Sequence, residues 1–381
     1  MSKSLKTNLI KEQIAEYGIN QTQLSEKLGV TKQSVSLWLN GETFPRPSEL
    51  LKLGKLLKLK YSDLVKIDET LEPQIAFRKV GSAKTRDIHY MRAKKMGYAL
   101  EQLVEFLPRN MMIKPPELKE PRNNYKYIQS AAETVRNIFE ITDWGIKFDE
   151  IIDILNSLNV ILIPVLLGNK RNHENAIHIY LPKSQTTWIY INLDTKIFDF
   201  KFWLSHELGH ILTPSLSNNE AENFADNFAG AFLFPEELAK RKYNEILILK
   251  SKTKKINSLI STASDLIISP ITILKEINKY AKSHNLKVID LEEKTFYAAT
   301  TKFTMNYSLI SEFLLGKGKV STNYYITKSK KFFKTIFFDL LIKYNQKKGL
   351  TEGFVSQVLN VSLIDAKEIY STLNASKKDI T

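Results

Sequence analysis

Within residues 200–211, FKFWLSHELGHI, two histidines and a glutamate interrupt an apolar run. On a helix His206 and His210 are four residues apart, so they stack on one face and can hold one metal ion together. Glu207 lies one step round, close enough to take a proton from a water that the metal activates. Burying this trio without a metal would leave polar groups unpaired, at about 1–3 kcal/mol each. The flanking Trp203, Leu204, Leu208 and Ile211 predict that the helix lies in a core. The chain has no cysteine, so thiolate ligation is excluded and any metal must be held by His, Asp or Glu.

A hydrolytic zinc site needs a third protein ligand and an open position for water. The next helical run, NNEAENFADNFAGAFLFP at 218–235, offers both a ligand and its support. Glu222 can be the ligand, and Asp226, one turn later on the same face, can accept the N–H of a ligating histidine and fix its tautomer. Glu220 falls away from that face, beside the loop TPSLSNN, where a solvated acid is expected. Ala225, Ala229 and Gly230 are small enough for two helices to approach closely. His173, His178, Tyr180 and Tyr190 lie in or near strands ahead of the site and are candidates to stabilise an oxyanion. His89 and His284 are isolated and read as structural.

A separate constellation opens the chain. In TQLSEKLGVTKQSVSLWLNGETFP, residues 22–45, Leu24 and Leu28 share one helix face and Gly29 permits a tight turn. Thr31 can cap a second helix whose Val35, Trp38 and Leu39 point inward. Lys32, Gln33, Ser34, Ser36 and Asn40 are left outward, suited to base edges and phosphates, with Gln21 and Gln23 near the start of the first helix. Together with Thr31 these are the expected DNA contacts. The segment resembles the Xre family of DNA-binding domains over roughly 60 residues, which implies binding of double-stranded DNA.

Four segments follow from composition and periodicity: a helical unit at 1–67, a helical connector at 68–120, a mixed region at 121–250 and a basic, mostly helical region at 251–381. In the mixed region, helical patterns at YIQSAAETVRNIFEI and FDEIIDILNSLN lead into VILIPVLL, an apolar run that reads as a buried strand. AIHIYL and TTWIYINL alternate and are split by PKSQ, a hairpin signal. An extended substrate is expected along WIYIN or AIHIY as an edge strand. GLTEGFVSQVLNVSLIDAKEIYSTL near the end reads as a helical hairpin or, more weakly, a second helix-turn-helix.

Residues 144–236 resemble the ImmA/IrrE family of metallopeptidases, through NVILIPVL, WIYINLDT, HELGHIL and the segment from Glu222 to Pro235 that follows ExxAxxFAxxFLFP. The resemblance implies Zn(2+) as cofactor, His206, His210 and Glu222 as its ligands, and Glu207 as the catalytic glutamate. An Xre domain joined through an AFRK-type connector, here Ala76 to Lys79, is similar to a common subgroup. FLFP where many members have Leu-Met-Pro is one departure. A short spacing between His210 and Glu222 is another.

The net charge of +14 is unevenly placed. Residues 1–67 hold 11 Lys and Arg against 6 acids, a net +5, and residues 251–381 hold 21 lysines against 11 acids, a net +10, which leaves the centre near neutral. Basic flanks suit nucleic acid, although a Lys-rich C-terminal surface needs no partner to explain it. No signal-peptide core and no run of 18 apolar residues is present, so a cytoplasmic protein without a membrane partner is expected.

The expected fold class is multidomain and mainly α: an all-α helix-turn-helix bundle, an α+β zincin-like peptidase domain and a mostly helical C-terminal region. The expected function is a DNA-binding regulatory zinc metalloendopeptidase that cuts a specific protein, a repressor, antitoxin or similar. The alternative is a transcriptional regulator whose zinc fold is a sensor or scaffold. A homodimer is left open.

Overall fold

A computed structural model of the chain describes residues 3–67, 72–78, 87–113, 115–166, 176–291, 293–318 and 320–375. The chain divides into two compact units, 1–72 and 73–381.

The first unit packs α1 (Thr7–Glu16), α2 (Gln21–Leu28), α3 (Lys32–Leu39), α4 (Pro47–Leu57) and α5 (Tyr61–Leu64) around Ile10, Leu24, Val35, Leu53 and Leu57. Local chemistry sets its boundaries. Asn20 and Gln23 cap α2 reciprocally, Gly29 ends it at φ +70°, and the Thr31 side chain accepts from Ser34 N–H at the start of α3. The unit is not all-α as expected. β1 (Lys3–Leu5) pairs antiparallel with β2 (Val65–Ile67), because the bundle brings its two chain ends together and Leu5 and Val65 are buried between them.

The second unit is built on a four-stranded sheet of order β3-β5-β6-β4, formed by β3 (Gln74–Arg78), β4 (Val160–Val165), β5 (Ala176–Leu181) and β6 (Thr186–Asn192). The expected hairpin is β5 and β6, paired antiparallel, and the expected buried strand is β4. Every residue of β4 is buried, and it runs parallel to β6. Parallel strands covered on both faces read as continuous apolar runs, as VILIPV does.

Around the sheet lie α6 (Asp87–Glu101), α7 (Tyr125–Ile138), α8 (Phe148–Ser157), α9 (Ile197–Leu212), α10 (Asn218–Leu233), α11 (Glu236–Ile248), α12 (Lys252–Leu266) and α13 (Pro270–Ser283). The C-terminal part adds α14 (Lys294–Met305), α15 (Ile310–Leu315), α16 (Thr322–Phe333), α17 (Phe337–Lys348), α18 (Glu352–Leu359) and α19 (Leu363–Ala375). One hydrophobic cluster runs through this unit from Ala93 to Leu373.

Two sequence expectations change here. Neither WIYIN nor AIHIY is an edge strand, because β4 flanks β6 and the connector supplies β3 to flank β5, with Ala76 opposite His178. The connector is therefore not purely helical. The C-terminal region, in turn, shares the core of the mixed region. Tyr325 Oη donates to Pro164 O and Thr335 Oγ1 to Leu162 O on β4, while Tyr190 Oη donates from β6 to Val358 O. Among the described residues no single helix is long and apolar enough to cross a membrane; α12 and α13 reach that length and apolarity only as a pair bent by 110°.

Candidate metal site and DNA-binding helix

α9 is buried almost all round, as a helix sandwiched in a core is, and most of its ionisable groups are buried with it. Trp203, Leu204, Leu208 and Ile211 are buried as expected, and so are His206 and Glu207. α10 crosses close by. A Cβ placed on Gly209 would lie 2.9 Å from Ala225 Cα, so the glycine in HELGH and the alanine opposite set the approach of the two helices.

That approach gathers the ligand atoms. His206 Nε2 and His210 Nε2 face each other at 3.0 Å, and the Glu222 carboxylate stands 3.5 Å from the first and 3.3 Å from the second. One atom from each of the three residues lies within 4.8 Å of the other two. Asp226 Oδ1 is 2.8 Å from His206 Nδ1. A carboxylate can only accept, so the ring donates there and its Nε2 keeps a lone pair aimed at the cluster. Two imidazoles and a carboxylate converging on one point are a donor set that suits a divalent N/O-binding ion such as zinc. Burial works to raise the Glu222 carboxyl, but the neighbouring His206 and His210 outweigh that and bring it down to about 2. It is ionised, as a ligand must be.

Glu207 sits beside the cluster at 2% exposure. Burial pushes its carboxyl up, His178, His210 and His206 pull it down, and the net shift is downward. His178, expected only as a candidate for an oxyanion, is also the neighbour of Glu207. Its Nδ1 is 3.4 Å from Glu207 Oε2, and both atoms are buried without a well-aligned hydrogen bond. Tyr180, two residues on, shares that face of β5 by strand alternation. Tyr190 is spoken for by Val358 O. His173 lies outside the described residues, and His284 is held by Tyr280 and by Glu236 at 3.3 Å. Glu220 is exposed.

In the first unit, Val35, Trp38 and Leu39 are buried and Gln21, Gln23, Lys32, Gln33 and Asn40 are exposed, with Ser34 and Ser36 half-buried. Gln23 and Thr31 also have local duties. Gln23 Oε1 accepts from Asn20 N–H, and Thr31 Oγ1 lies 2.8 Å from Ser34 Oγ. Their remaining donor and acceptor capacity faces solvent.

Residues 10–64 match the helix-turn-helix family. The N-terminal unit thus carries a helix-turn-helix DNA-binding domain of the Xre type. No curated protein and no solved structure matches the chain.

Proposed function

We propose that the chain is a DNA-binding regulatory zinc metalloendopeptidase that hydrolyses a peptide bond in a specific protein, a repressor, antitoxin or similar, in transcriptional or stress-type regulation. The observation that carries this reading is the convergence of His206, His210 and Glu222 next to a buried, ionised Glu207. A pure scaffold has no use for a general base beside its metal. The DNA-binding domain supplies the regulatory half.

A zinc ion held by His206, His210 and Glu222 would supply Lewis acidity toward water and the scissile carbonyl. Glu207 takes the proton of the attacking water and passes it to the leaving amine. Asp226 fixes the His206 ring so that its Nε2 stays a ligand rather than a donor. His178 Nδ1 stands 3.4 Å from the Glu207 carboxylate. His178 and Tyr180, on one face of β5, are the groups positioned to meet a developing oxyanion.

Because β5 and β6 both lie inside the sheet, the strand that bears His178 offers no free edge to an extended peptide. That observation favours the second reading, a transcriptional regulator whose zinc fold is a sensor or scaffold. Glu207→Gln separates the two. The zinc-loaded parent, incubated with proteins encoded beside it, is expected to release fragments, and the variant to release none at equal zinc content. Equal cleavage by both would end the role given to Glu207. Operator regulation that persists unchanged in the variant, with no fragments from either protein, is the result the sensor reading expects.

A further inference from the structure

Away from the metal site, α7, α10 and α13 line an open pocket of about 370 Å³. That is inside the range of small-ligand pockets, roughly 300–1,000 Å³. Its wall is mostly apolar, with a few polar groups set into it. Gln129 is 8% exposed; its Oε1 accepts from Glu236 N–H at 3.0 Å, while its Nε2 group has no acceptor among the described residues. Lys282 is exposed at the cavity and makes no ion pair among the described residues. The one acid in the wall, Glu276, is buried and already answered by Lys279 Nζ at 2.7 Å.

The acid is also built in on its far side. A Cβ on Gly230 would fall inside the Glu276 carboxylate, so α10 carries its glycine where α13 brings this group in. What the cavity has to offer is therefore an amide donor, a free ammonium and the unpartnered Tyr125 hydroxyl, with the Tyr125 ring and Ile128 as apolar wall. The Glu276 carboxylate is matched by Lys279, which leaves Lys282 as the charge open to a ligand. An anion finds a complementary charge and an unfilled donor.

We propose that this cavity binds a small organic anion, its carboxylate or phosphate taken by the Gln129 amide and the Lys282 ammonium and its flat body lying against Tyr125 and Ile128. The site has a path to the metal cluster. Asn227 lines the cavity and donates from Nδ2 to Asn123 Oδ1 at 2.7 Å, next to Asp226, which holds His206. A ligand here bears on the helix that carries Glu222 and Asp226, which makes it an effector site. The inference stands apart from the peptidase reading, since binding needs neither zinc nor turnover.

The test is calorimetric titration of the full chain with benzoate, adenosine monophosphate and inorganic phosphate. At least one of the two organic probes is expected to saturate, with Lys282→Ala and Gln129→Glu each weakening it by roughly tenfold or more. Gln129→Glu keeps the acceptor for Glu236 N–H and the side-chain volume, and only replaces the donors by a negative charge; a thermal melt matching the parent's excludes unfolding. Which organic probe binds tells carboxylate from phosphate. The proposal is overturned if neither organic probe saturates below about 10 mM, if phosphate alone binds as tightly as they do, or if the folded variants bind them like the parent.

Discussion

His206 and His210 differ in what holds them. His206 is buried with its Nδ1 tied to Asp226, while both Nε2 atoms look toward the Glu222 carboxylate. Glu222 reaches the two histidines, Asp226 stops at the back of one ring, and Glu220 is exposed on another part of α10. Removing the charge from each therefore has a different consequence for metal. Glu222→Gln should lose most of its zinc after dialysis, and Asp226→Asn should bind it roughly 10- to 100-fold more weakly, as changes behind a ligand do. Glu220→Gln should keep a full complement. Elemental analysis per chain reads all three. A full complement in Glu222→Gln together with loss in Glu220→Gln would reverse the assignment of the third ligand.

At the scale of elements, the site depends on how closely α9 and α10 approach. Gly209→Ala would press a methyl group against the Ala225 backbone, and α9 is too deeply buried to shift freely. Overpacking of this kind costs about 1–3 kcal/mol. The variant should melt at a lower temperature and hold zinc less tightly, since Glu222 and Asp226 retreat with α10. An unchanged melt and zinc content would mean that the helix pair tolerates the wider spacing.

The helices and the hairpin were legible because each carries its own periodicity, and β4 because it is a short, unbroken apolar run. HExxH and the downstream Glu222 and Asp226 were legible because helical phase converts spacing into a shared face. β3 was not: QIAFR is a short piece whose place beside β5 comes from a pairing about 100 residues away in sequence. The position of His178 against Glu207 is hidden for the same reason, since it depends on how β5 packs against α9. Amphipathic patterns in 251–381 announced helices without saying what they cover. Their common core with β4 is a long-range fact.

For the molecule as a whole, the division at Glu72 and Pro73 decides which activity can be studied alone. The N-terminal unit has its own core, from Leu5 to Val65, and its ends are joined by the β1 and β2 pair. Residues 1–72 include that pair completely and should fold by themselves. The exposed Lys32, Gln33 and Asn40 on and just after α3 and a surplus of basic residues are what groove and phosphate contact require. The fragment is therefore expected to shift duplex DNA from the promoter region, with affinity falling linearly in logarithm as salt rises because counterions are released. Lys32→Ala should weaken all sequences alike and flatten the salt slope by about one counterion, whereas Gln33→Ala should cost about 1–3 kcal/mol at the preferred site only. A folded fragment that shifts no DNA at low salt would show that this helix-turn-helix serves another partner.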